Sequence, residues 1–124
     1  PPRSTLFPYT TLFRSNVNIF MDASDMILTK PGGLTSTEVA VKNIPVIFTE
    51  PIPVCETYNA RFFEKRQMAF WAMDSKDILL YIDMILNDKS VCDNMNNMQN
   101  KFINKQATSD IVDFTIKNYK KDAS

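Results

Sequence analysis

The run Thr29-Lys30-Pro31-Gly32-Gly33-Leu34-Thr35-Ser36-Thr37-Glu38 gathers residue types that could hold a phosphorylated ligand. Paired glycines let a ligand approach the backbone closely, and the N–H groups of a first helical turn favour an anion. Thr35, Ser36 and Thr37 add hydroxyl donors at the same end. Glu38 follows about one turn later, where a carboxylate can accept two hydrogen bonds from a ribose diol. The spacing is neither a Walker loop nor a complete dinucleotide fingerprint. The same residues also suit a tight strand-to-helix turn with hydroxyl caps, and pattern alone leaves both open.

Such a site needs a strand before it and a helix after it. Met26 to Thr29 is an apolar strand candidate stopped by Pro31-Gly32-Gly33, and Leu34 to Lys42 is helical, with Asn43 as its stop. Asn16 to Ala23 reads as a short helix with Val17, Phe20 and Met21 on one side. Pro45 to Phe48 is continuously apolar, which suits a central strand covered on both faces. A proline-bracketed loop, Glu50 to Val54, leads into a helix from about Glu56 to Gln67, and Met68 to Ala72 gives a third strand. Alternating strands and helices predict an α/β fold with a parallel sheet.

Three helices are expected to close the chain, with Ser75, Ser90 and Thr108 as N-caps. Ile78, Ile82 and Ile85 form the apolar side of the first. Val91, Met95, Met98 and Phe102 make a stripe on the second, which reads as packing rather than as a binding groove. Ile111, Val112, Ile116 and Tyr119 make the apolar face of the third.

Composition narrows the chemistry. The 124 residues are 44% hydrophobic and 23% charged with zero formal net charge, which fits one globular domain and not a disordered tail. No polybasic block points to nucleic acid or anionic lipid. There is no histidine, and the two cysteines, Cys55 and Cys92, lie far apart. Metal sites of the usual nitrogen and sulfur kind and histidine acid–base catalysis are therefore not expected within this chain. No apolar run approaches the roughly 18 residues of a membrane span, and no signal peptide is expected.

Residues 1–15, PPRSTLFPYTTLFRS, lack a helical or strand period and match, residue for residue, the in-frame translation of a short-read sequencing adapter. They are expected to be a non-native leader, outside the core. Residues 16–124 are then a truncated domain.

The run DASDMILTKPGGLTSTEVAVKNIPVIFTEPIPVCETYNARFF resembles the C-terminal, donor-binding domain of glycosyltransferases that include bacterial diacylglycerol glucosyltransferases and plant monogalactosyldiacylglycerol synthases. It is more distantly similar to the N-acetylglucosaminyltransferase of peptidoglycan lipid synthesis. The motifs that carry the resemblance are Lys30 to Thr35 with Glu38, the strand entry Asn43-Ile44-Pro45-Val46-Ile47, and Pro51-Ile52-Pro53 followed by Glu56 and Asn59-Ala60. It covers Asn16 to about Asp77 well and the last helices in outline.

The resemblance implies the GT-B architecture, two Rossmann-like domains facing across a cleft, of which this chain is part of the second. It implies that Gly32, Gly33, Leu34 and Thr35 lie against the donor diphosphate, that Glu38 holds the ribose, and that Cys55 and Glu56 face the hexose. Relatives often show Gly and Gln where this chain has Val54 and Cys55. The implied activity is inverting transfer of a hexose from a UDP-sugar to a lipid such as diacylglycerol, with no metal or cofactor. The catalytic base and the lipid-acceptor surface are implied to belong to the N-terminal domain. The fragment alone is thus expected to be inactive, and its parent cytoplasmic and peripheral on the inner face of the cell membrane. No nucleic-acid partner is expected. The alternatives are a protein of the peptidoglycan-lipid branch, or a stand-alone nucleotide-sugar binding module.

Overall fold

A computed structural model describes residues 16–51 and 53–122, so the expected leader at 1–15 lies outside the described residues. Helix α1 (Val17–Asp22) precedes β1 (Ile27–Thr29), α2 (Gly33–Val41) and β2 (Val46–Phe48). Then come α3 (Cys55–Lys65), β3 (Phe70–Trp71), α4 (Ser75–Asn87), α5 (Lys89–Phe102) and α6 (Ala107–Asp122). The strands form a parallel sheet of order β1-β2-β3, pairing Ile27 with Val46, Leu28 with Ile47 and Thr29 with Phe48, then Ile47 with Phe70 and Phe48 with Trp71. This is the expected α/β class, consistent with a Rossmann-like portion.

β2 is central because its three residues can be buried on both faces at once. Val46, Ile47 and Phe48 are all fully buried. Alternation sends Val46 and Phe48 into one apolar cluster, with Val39, Ala60, Phe63 and Met95, and Ile47 into the other, with Ala72 and Ile85. Phe48 meets Phe63 edge to face at 5.5 Å, a favoured aromatic geometry.

α2 and α3 both end in a Schellman motif, in which a left-handed residue lets its own N–H and that of the next residue turn back onto the helix. After α2, Asn43 (φ 56°) donates to Ala40 O and Ile44 to Val39 O. After α3, Gln67 (φ 57°) donates to Glu64 O and Met68 to Phe63 O. The accompanying apolar pairs, Ile44 with Val39 and Met68 with Phe63, belong to the same core cluster. The fully buried Gln99 of α5 then donates from Nε2 to Ile44 O at 3.1 Å and to Met68 O at 3.0 Å. One amide therefore ties together the two exits that feed β2 and β3. Nearby, Met95 Sδ accepts from the N–H of Val46 at 3.4 Å.

Several expectations are corrected. Asp74, not Ser75, caps α4, accepting from the N–H groups of Lys76 and Asp77. Asp88, not Ser90, caps α5, and the Ser90 N–H and hydroxyl both donate to it. In each case a carboxylate one or two residues earlier outcompetes the serine, since its charge also suits the helix dipole. Donation from Ser90 holds the Asp88 carboxyl below the usual range. Thr108 lies inside α6, and Asn104 closes the turn before it by accepting from Gln106 N–H at 2.8 Å.

The α5 stripe omitted Gln99 and included Phe102, which is 40% exposed. Phe20 of α1 is likewise more than half exposed, whereas Met21 is buried. On α6, Ile111, Val112, Ile116 and Tyr119 are all exposed, so that apolar face covers nothing among the described residues.

Gln99→Leu should be costly although it places an apolar side chain in the core, because it strands two buried carbonyls. Loss of about 2 to 4 kcal/mol is expected in urea unfolding, against about 1 kcal/mol for loss of the α4 cap in Asp74→Ala. Equal losses for the two variants would contradict the bridging role of Gln99.

Candidate functional site

Parallel pairing decides where the candidate residues meet. β1 and β2 run the same way, so the loops that leave their carboxyl ends, Lys30 to Gly32 and Thr49 to Val54, emerge on one edge of the sheet. The N–H of Thr49 donates to Thr29 O at 2.9 Å and holds the two loops together at their roots. In open α/β sheets this edge is where ligands bind. An open hollow of about 370 Å³ lies there, lined by Lys30, Thr49, Glu50, Ala72, Met73, Asp74, Ser75 and Ile78.

At the start of α2, Gly32 is the N-cap, extended at φ −66° and ψ 142°, with no side chain to satisfy the helix end. The Ser36 N–H is the first to close a turn, onto Gly32 O at 2.9 Å. The N–H groups of Gly33, Leu34 and Thr35 therefore precede the first helical hydrogen bond, the arrangement that favours an anion. Neither glycine has a positive φ. A Cβ on Gly32 would sit 3.7 Å from Glu56 Oε1, and one on Gly33 would sit 3.8 Å from Asn59 Nδ2, both ordinary contacts. Neither backbone strain nor internal crowding accounts for the pair.

Those distances also show what faces the glycines, namely the first turns of α3. Glu56 and Asn59 stand three residues apart on one helical side. Asn59 Nδ2 donates to the carbonyl of the buried Pro31 at 3.1 Å, pinning α3 to the glycine loop. The turn into α3 is strained: Val54 has φ 74° and ψ −67°, and the Cys55 N–H donates to Pro53 O at 3.1 Å. That is a γ-turn of the rare hand, costly for a β-branched residue.

The structure thus brings Gly32, Gly33 and Glu56 together. It leaves Leu34, 83% exposed, and Glu38 on the outer side of α2, one turn apart. The Glu38 carboxylate takes part in no hydrogen bond or ion pair among the described residues. Thr35 borders a separate hollow shared with α1 and β1. Cys55 is exposed.

The expected trio of hydroxyl donors does not converge. Ser36 is fully buried with no partner for its Oγ among the described residues, and Thr37 donates back to Gly33 O at 2.8 Å. Consecutive helical residues diverge by about 100°, so three in a row cannot point at one ligand. Asn59 was legible only as part of a motif. Its i, i+3 spacing from Glu56 could have placed it on the same side of the helix, but its partner, the Pro31 carbonyl, is a tertiary contact.

No family model matches the chain. Several curated proteins do. Over 94 residues it is 35% identical to the processive diacylglycerol beta-glucosyltransferase of Bacillus pumilus, covering 73% of this chain and 24% of that protein. The similarity is to lipid glucosyltransferases. The same-named protein of Bacillus subtilis is 38% identical over 72 residues, 58% of this chain and 19% of its own length. That of Staphylococcus carnosus is 30% identical over 83 residues, 67% and 21% respectively. The chain therefore spans about a quarter or less of the relatives it matches.

Val54→Gly should relieve the γ-turn and raise unfolding stability by about 1 kcal/mol, the strain released less the entropy that glycine loses. A drop in the urea midpoint would refute strain at this turn. The two thiols should also differ in reactivity. Burial, with Asp93 and Asp88 adding, pushes the Cys92 thiol up, and its Sγ donates to Ile85 O. Iodoacetamide at neutral pH should accordingly mark Cys55 well before Cys92, as read by peptide mass mapping.

Proposed function

We propose that residues 16–124 are the donor-nucleotide-binding part of an inverting glycosyltransferase of GT-B architecture, which moves a hexose from a UDP-sugar to a lipid acceptor such as diacylglycerol. The similarity to diacylglycerol glucosyltransferases supports the class of reaction. The observation that carries the donor role is the uncapped start of α2, with two glycines that neither strain nor crowding demands.

In this reading Gly32 and Gly33 let the diphosphate approach, and the N–H groups of Gly33, Leu34 and Thr35 receive it. As the acceptor oxygen attacks the anomeric carbon, the bond from that carbon to the diphosphate breaks and negative charge grows on the leaving oxygen. N–H groups fixed by the helix stabilise that charge more than the ground state. The proton of the acceptor hydroxyl passes to a base outside this chain. Glu38 holds the ribose diol from the outer side of α2. Glu56, already beside Gly32, takes the hexose hydroxyls, and Cys55 contributes little because a thiol is a weak donor and acceptor. The enzyme that carries this chain works at the inner face of the cell membrane as a peripheral protein.

In the full-length protein, Glu38→Ala should weaken UDP binding about ten- to a hundredfold in calorimetry, the scale of a charge-assisted pair of hydrogen bonds. Unchanged UDP affinity would rule out the ribose role. Glu56→Gln should instead depress hexose transfer while leaving UDP affinity nearly intact, and parallel loss of both would remove it from the sugar.

A further inference from the structure

β3 is the outer strand of the sheet among the described residues, and a second hollow lies along it, apart from the one at the carboxyl ends of β1 and β2. It measures about 470 Å³, the size of a small-molecule site. β3 and the helices α3, α4 and α5 wall it and bring Glu64, Phe70, Trp71, Tyr81 and Asn94 together. None of the residues assigned to the donor site lines it.

Phe70 of β3 and Tyr81 of α4 stack with centroids 4.5 Å apart and planes 9° from parallel, which leaves each ring one face outside the pair. Trp71 borders the hollow, but its indole N–H is buried and offers no donor there. Asn94 Nδ2 donates to Gln67 Oε1 at 3.2 Å, joining α5 to the chain that leaves α3 on the same hollow. Two walls are thereby fixed to each other.

The charge of these walls has one sign. Glu64 is exposed on the hollow, and its carboxylate makes no hydrogen bond or ion pair among the described residues. Asp77, one turn before Tyr81, accepts from the N–H of Met73 at 2.9 Å. Burial, with the charges of Asp77 and Glu64 adding, pushes the Tyr81 phenol up, so both carboxylates act on this ring. No lysine or arginine lines the hollow: Arg66, next to Gln67 in sequence, lies over the Phe62 ring at 3.9 Å, and Lys89, next to Ser90, pairs with Asp93.

We propose that this hollow binds an organic ammonium ion, whose alkyl groups lie on the Phe70 and Tyr81 rings while its charge faces Glu64. Ring faces are negative and attract a cation, most strongly one that gives up little hydration. Met84 and Met95 complete the wall with polarisable thioethers. A bare metal ion is not the match, since it takes several oxygen ligands and no such group occurs among the described residues. A free amine and a lipid headgroup carry the same ammonium chemistry, and the test separates them. The inference is independent of the donor reading, because no nucleotide or sugar takes part in it.

Trp71 is the one tryptophan of the sequence, so its fluorescence reports occupancy of the hollow it borders. The 124-residue chain is titrated with choline and, separately, with the uncharged isostere in which carbon replaces the nitrogen, with sodium chloride as the ionic blank. A saturable change at millimolar affinity is expected with choline alone, as suits so small a ligand. Glu64→Gln should weaken choline about fivefold, the upper end for an exposed charge pair. Tyr81→Leu should cost about as much through the lost ring face, whereas Tyr81→Phe retains binding. Asp113→Asn on α6, a carboxylate that does not line the hollow, should change nothing, and circular dichroism melts check that each variant folds. Glycerophosphocholine is titrated last: tighter binding than choline assigns the ammonium to a headgroup, weaker binding to a free solute, and either order supports the site. Choline against its isostere on the unaltered chain decides even if a variant misfolds. Equal responses to the two, as a merely apolar hollow gives, an unchanged affinity in Glu64→Gln, or no saturable change with choline would overturn the proposal.

Discussion

The fold turns on a single buried amide. Gln99 Nε2 satisfies the carbonyls of Ile44 and Met68, the first residues beyond the two Schellman turns. Those carbonyls would otherwise be buried acceptors without donors, at a cost of about 1 to 3 kcal/mol each. The same contact fixes the spacing between the chain entering β2 and the chain entering β3. The strand pairing of β2 with β1 and β3 then sets the register on either side of these two chains. α5, which carries Gln99, thus acts as the clasp of the sheet, and Met95 on the same helix secures the N–H of Val46.

From that clasp the candidate site follows by short steps. β1 and β2 in parallel put the glycine loop and the entrance to α3 on one edge. Asn59 joins them directly by donating to Pro31 O, and Glu56, one helical turn away, is thereby held at Gly32. The positive φ at Val54 is tolerated because the helix that follows it is fixed: Cys55 begins a helix whose Ala60 and Phe63 are buried. Strain of this kind persists where surrounding structure over-determines it, and it is concentrated at ligand-binding turns. α3 consequently serves three surfaces at once, a core side at Ala60 and Phe63, a site end at Glu56 and Asn59, and an exposed cationic and aromatic side at Arg61, Phe62 and Lys65.

α6 illustrates a contrasting case. It runs from Ala107 to Asp122, yet Ile111, Val112, Phe114 and Ile116 stay exposed. No described helix is long and apolar enough to cross a membrane. Local signals built this helix, in particular the Asn104 turn and periodic apolar residues, while packing did not. Periodicity says that a helix has an apolar side; it says nothing of what covers it.

The sequence by itself determined the class of fold and the order of its elements, because unbroken apolar runs such as Val46-Ile47-Phe48 and punctuation such as Pro31-Gly32-Gly33 and Asn43 are local properties of the chain. It also marked the stretch from Gly32 to Glu38 and the pair Cys55-Glu56, since glycine placement and carboxylate spacing can be read directly. Tertiary structure alone decided which of these meet. Gly32 and Glu56 are 24 residues apart in the chain and come within contact only through the parallel pairing of β1 with β2. It decided that Asp74 and Asp88 cap where serines were expected, because competition between neighbouring oxygens is settled by which one the backbone aims at the free N–H. It made Gln99 a core residue, since the two N–H donors of its buried amide find carbonyls only where the ends of α2 and α3 converge on α5.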